Sequence, residues 1–126
     1  MSDYLEGKIL DHVLSTTSYT MPSGVYVGLS TGSFGDDNSG TELSGNGYVR
    51  QGDVAFDAAS GGVADNTSNI EFPAATGSWG TVSHWGIFDA SSSGNLLIHG
   101  VLSSSKSIAI GDILRLSAGD LDVTAA

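Results

Sequence analysis

Several groupings in this chain are of residue types that carry chemistry. Gly28-Leu29-Ser30-Thr31-Gly32 has the Gly-x-Ser-x-Gly spacing of a nucleophile elbow, a strand-to-helix turn that presents an activated serine. That geometry needs a helix after the serine, and a Gly/Ser/Asp loop follows Ser30 instead. Asp36-Asp37-Asn38 and Glu42 offer hard oxygen ligands for calcium. They lack the spacing of an EF-hand loop, so a solvated acidic loop is the plainer account. His84 and His99, with Asp89, are candidate metal ligands, but the spacing does not establish three converging donors. Asp120 and Asp122 share one strand face and read best as charge guarding an edge. Trp79 and Trp85 have ring faces of the kind that stack on sugars. In the most apolar stretch of a chain, tryptophans more commonly serve as core or as buried interface anchors. No Gly-rich phosphate cradle with its lysine is present, nor a basic patch with interleaved aromatics. The expectation is a protein that is not an enzyme, with no catalytic residue, cofactor or metal site.

The elements that would position these residues are mostly strands. Residues 79–89 and 96–102 are short apolar runs around an Asp/Ser/Gly/Asn loop, which reads as a hairpin at the centre of the core. Strict alternation puts Val82, His84, Gly86 and Phe88 on one face, and Thr81, Ser83, Trp85 and Ile87 on the other. Further strands are predicted at 25–29, 48–56, 68–72, 107–110, 113–117 and 121–124, separated by Gly, Asp, Asn and Pro turns. Residues 30–47 form a long loop, and loops of that length are usually functional or mobile. One helix is predicted over residues 3–14, with Ser2 as its cap and Leu5, Ile9, Leu10, Val13 and Leu14 as its apolar face. The plainer reading lays that face on the chain's own domain; the alternative is an arm reaching a neighbouring copy. About eight short strands define an all-β fold, an antiparallel β-sandwich of jelly-roll type with a short N-terminal helix. Residues 1–20 make the helix and arm, and residues 21–126 a single β-sandwich domain.

Composition narrows the partners. Four basic residues stand against 14 acidic ones, a net charge of -10. Nucleic acid and anionic membrane both need Lys and Arg to replace counterions, so neither is expected as a partner. No cysteine is present, which rules out disulfides and thiolate metal sites. No run approaches the ~20 apolar residues of a membrane span, and no export signal is visible, so a soluble chain is expected. The Asn66-Thr67-Ser68 glycosylation pattern then carries no weight.

The order 25–31 (Val-Tyr-Val-Gly-Leu-Ser-Thr), 36–51 (through Gly47-Tyr48-Val49-Arg50-Gln51), 72–76 into 79–90, and 118–124 resembles a family of small virion proteins of tailed bacteriophages. The likeness covers nearly the whole chain, N-terminal helix included. Members are tail-fibre, head-fibre or capsid decoration proteins, so the resemblance implies a virion structural protein. A capsid cement protein that stabilises the shell is the leading expectation, because no repetitive shaft is visible. A tail-fibre or tail adaptor protein comes second, and a carbohydrate-binding module third. The implied partners are the major capsid protein or other virion proteins, and further copies of the chain in a homodimer or homotrimer. The expected interface residues are Leu5, Ile9 and Val13 on the helix, Phe34, Asp36 and Asp37 in the long loop, and Trp79 and Trp85 as aromatic anchors.

Overall fold

The computed structural model describes residues 1–124 of the chain. One helix, α1 (Asp3–Val13), precedes seven strands: β1 (Tyr26–Ser30), β2 (Val63–Asp65), β3 (Ile70–Glu71), β4 (Gly80–Phe88), β5 (Leu96–Ile108), β6 (Arg115–Leu116) and β7 (Asp122–Thr124). They form three antiparallel sheets, β1-β4-β5, β2-β7 and β3-β6. The fold is all-β and antiparallel with one N-terminal helix, as the spacing predicts. One apolar cluster joins the sheets: Val27 and Leu29 of β1, Ile70 of β3, Trp85 and Ile87 of β4, Leu116 of β6, and Leu121 before β7.

Ser2 caps α1 as expected, its Oγ accepting from the Leu5 amide at 3.2 Å. The same residue fastens the helix to the body. Its hydroxyl donates to the Leu96 carbonyl at 2.5 Å, and its amide to the Leu97 carbonyl at 2.8 Å.

Three local expectations are corrected. Residues 48–56 make no strand, only bridges from Gln51 to Val27 and from Phe56 to Asn66. The chain turns at Asp53, which takes a left-handed φ of 53°, outside the extended region that a regular strand occupies. The strand expected over 107–110 is the far end of β5, which runs 13 residues. It survives the Ser103-Ser104-Ser105 run because those residues bulge: Val82 pairs with Lys106 while His84 pairs with Val101. That bulge also overturns the strict alternation of β4. Val82 turns inward with Trp85 and Ile87, whereas Phe88 packs on the other face against Phe34 and Leu96.

Candidate interaction surface

The outer face of β1 and β4 is covered by the long loop, and the cover is pinned rather than loose. Gly28 and Gly86 lack side chains where the loop and its neighbours press closest. A Cβ on Gly28 would lie 2.7 Å from Glu42 Oε2, and one on Gly86 3.1 Å from the Phe34 ring. Arg50 is the centre of the fastening. Its guanidinium forks onto Glu42 at 2.8 and 2.9 Å, donates to the Ala90 and Ser93 carbonyls at 2.8 Å each, and lies 3.6 Å above the Phe88 ring. Tyr48 Oη donates to Glu42 and accepts from the Leu29 amide. Burial first, then the bond to the Glu42 carboxylate, push the Tyr48 phenol far above its usual range.

Those bonds absorb most of the residues with chemical promise. Ser30 is buried, and its hydroxyl donates to the Thr41 carbonyl at 2.6 Å, so the elbow serine is a loop clamp. Glu42 is paired with Arg50. Asp37 accepts from the Ser39 amide at 3.1 Å, and its hydrogen bonds to Ser39 hold its carboxyl below the usual range. Asp36 reaches His99 instead, at 2.8 Å. His84 bonds its neighbour Ser83, so the two histidines engage different partners. Among the described residues no three His, Cys, Asp or Glu side chains are grouped to hold a metal ion. Asp122 lies opposite Asp65 in the β2–β7 ladder. Their side-chain contact, which holds best when one carboxyl keeps its proton, raises the pKa of Asp65; burial and repulsion from Asp122 and Asp57 add to it.

Four of the expected interface residues lie in the core of the chain. Leu5, Phe34, Trp79 and Trp85 are all at least nine-tenths buried. The Trp79 ring donates to the Asn46 carbonyl and packs edge-on to Tyr48 and Phe72. Gly100 covers the Trp85 ring so closely that a Cβ there would sit 2.6 Å from it. Neither tryptophan offers a free face to a sugar. Asp36, Asp37, Ile9 and Val13 are exposed.

What the molecule does expose is the outer side of α1. Only Leu5 of its apolar face is buried; Ile9 is 38 % exposed, Leu10 59 %, Val13 67 % and Leu14 70 %. These four positions, i, i+1, i+4 and i+5, make one ridge on the helix surface. Leu10 and Leu14 were visible in the helical period; what the period lacks is which part of a 3.6-residue stripe the body covers. Beside the helix is an apolar groove of about 240 Å³, lined by Leu5, Tyr19, Pro22, Phe56, Ala64 and Val123 among others. No helix among the described residues is long and apolar enough to cross a membrane.

The molecule is a small antiparallel β protein with a pinned loop face and an exposed apolar ridge on α1. The family model described as Podophage GP4 fiber I protein gp80 matches residues 1–124, and the chain belongs to that family. It is a structural protein of the bacteriophage virion. No curated protein matches the sequence.

Proposed function

We propose that this chain is a non-catalytic fibre subunit carried on the capsid surface, held in the particle by protein–protein contacts in which the α1 arm takes part. The fibre reading fits the description of the family, and the observation that carries the assembly role is the exposed ridge Ile9-Leu10-Val13-Leu14. An isolated monomer gains nothing from four large apolar residues in water on one short helix, whereas an assembled subunit buries them. A decoration protein that cements the shell is the second reading.

The test is a particle map together with occupancy. Density for the chain on the capsid is expected, and density at the tail would replace the capsid assignment. Leu10→Gln/Leu14→Gln changes only exposed positions and should lower occupancy on particles severalfold; unchanged occupancy would remove α1 from the contact. Particles without the chain that resist heat normally but adsorb poorly would favour the fibre role over cement.

A further inference from the structure

We infer that the cleft between residues 51–55 and the outer edge of β3 docks an extended, basic segment of another virion protein, which adds to β3 as a further strand. The inference rests on the reading of the chain as a subunit held by protein–protein contacts, but at residues other than the α1 ridge. The register leaves the edge open. Ile70 and Glu71 pair with Leu116 and Arg115 of β6, and the Phe72 amide donates to the Leu114 carbonyl at 2.9 Å. Backbone bonds in an antiparallel ladder change sides from one residue to the next. Ile70 and Phe72 therefore bond towards β6, whereas Asn69 and Glu71 turn their N–H and C=O groups outward. The segment that could have covered them is tied elsewhere. Gln51 exchanges both backbone bonds with Val27 of β1, while Ala55 and Asp57 bond Thr67 and Asp65. Between these attachments the chain turns at Asp53, with a φ of 53°. Gly52 is pressed onto the Tyr26 ring, where a Cβ would lie 2.5 Å from it. The N–H groups of Gly52, Asp53, Val54, Asn69 and Glu71 have no hydrogen-bond partner among the described residues.

Shape and charge choose the occupant. The cleft holds about 270 Å³, below the roughly 300–1,000 Å³ of pockets that enclose small molecules. Free backbone groups along its wall suit an extended chain, which bonds them main chain to main chain. Residues 68–71 span about 14 Å at the rise of a strand, room for three or four added residues. Pro73 has no N–H and ends the edge. The ionisable side chains on the cleft are Asp53 and Glu71, both exposed. Neither has a salt-bridge partner among the described residues, where the pairs are Arg50–Glu42 and His99–Asp36. Two uncompensated carboxylates, in a chain of net charge -10, select Lys or Arg on the incoming strand. A second copy does not offer such a strand. Its basic residues are Lys8, Arg50, Lys106 and Arg115; Arg50 is buried against Glu42, and the nearest two in sequence, Lys106 and Arg115, lie in different strands.

Titration of the isotope-labelled full chain by nuclear magnetic resonance tests this, with the hexapeptide acetyl-Lys-Val-Lys-Val-Lys-Val-amide as the probe. The amide signals of Asp53, Asn69 and Glu71 should shift with a Kd in the millimolar range or below, and the Asn69 and Glu71 amides should exchange more slowly with solvent. The matching Glu-Val hexapeptide, and a Lys-Val hexapeptide with N-methyl groups on alternate residues, should each bind at least tenfold more weakly. Asp53→Asn/Glu71→Gln removes both charges while Asn tolerates the left-handed turn, and should weaken binding severalfold. Ala55→Arg, at an exposed position on the cleft, should abolish binding with the rest of the spectrum unchanged, and should lower occupancy on particles severalfold. No shift at Asn69 and Glu71 with millimolar Lys-Val peptide would mean that the two carboxylates only guard an edge, and overturns the inference. Equal binding of the Glu-Val peptide overturns the basic occupant, and unchanged particle occupancy of Ala55→Arg overturns the virion partner. The two assembly surfaces separate cleanly. Occupancy lost by Ala55→Arg but kept by Leu10→Gln/Leu14→Gln supports the cleft and removes α1, and the converse keeps α1 and removes the cleft.

Discussion

Replacing Arg50 with alanine should detach the long loop from the sheet it covers. The change removes a forked ion pair with Glu42, two bonds to the Ala90 and Ser93 carbonyls, and the contact with the Phe88 ring. The Arg50 side chain is 7 % exposed and that of Glu42 23 %. Breaking a buried pair by deleting one partner costs about 3–5 kcal/mol, because the other charge is left without compensation. Glu42 keeps its bond from Tyr48 and is partly wet, and Ser93 lies in an exposed loop that water can reach, so the lower end applies, about 3 kcal/mol. In a domain of this size that lowers Tm by about 10 °C. Thermal and urea denaturation at one fixed protein concentration would measure it, the concentration being fixed because association also stabilises. Arg50→Lys should recover little, since an ammonium cannot fork onto a carboxylate and two carbonyls in one plane. A double-mutant cycle with Glu42→Gln should give strong coupling, about 1.5 kcal/mol or more. A loss below about 1 kcal/mol, or additive single effects, would show that the pair does not hold the loop.

Three further outcomes are expected. Asp65→Asn should raise Tm at neutral pH. The pKa of Asp65 is raised in the folded state, so stability is fullest below the unfolded value near 4 and falls as pH rises through the folded one; the gain should vanish below about pH 4, and an equal gain at both pH values would exclude carboxyl repulsion. Ser30→Ala should cost about 1 kcal/mol through the lost Thr41 and Gly32 bonds, and an activated-serine probe should leave folded wild type unlabelled; labelling would revive the elbow. EDTA should leave Tm unchanged, because the acidic loop residues are engaged with His99, Ser39 and Arg50; a fall of many degrees would reveal a bound cation.

Local rules determined a good part of this molecule from sequence. The helix start at Ser2, its end near residue 13, the β1 strand and the β4–β5 hairpin all follow from caps, turn residues and period, which depend on neighbours a few positions away. Tertiary structure decided everything that needed knowledge of what lies across the sheet. Alternation could not foresee that a bulge at Leu102–Ser105 would turn Val82 inward beside Trp85. Nor could aromatic content tell an interface anchor from core, because burial of Phe34 and Trp79 is set by segments that meet them from elsewhere in the chain, Phe88 and Asn46. Arg50 and Ala90 are 40 residues apart and meet because the Arg50 guanidinium lies over the Phe88 ring and reaches the loop after β4. The apolar period of α1 likewise states how much surface must be covered, but not by what. Only the docking of Ser2 on Leu96 and Leu97 shows that the body takes Leu5 and leaves Leu10, Val13 and Leu14 outside.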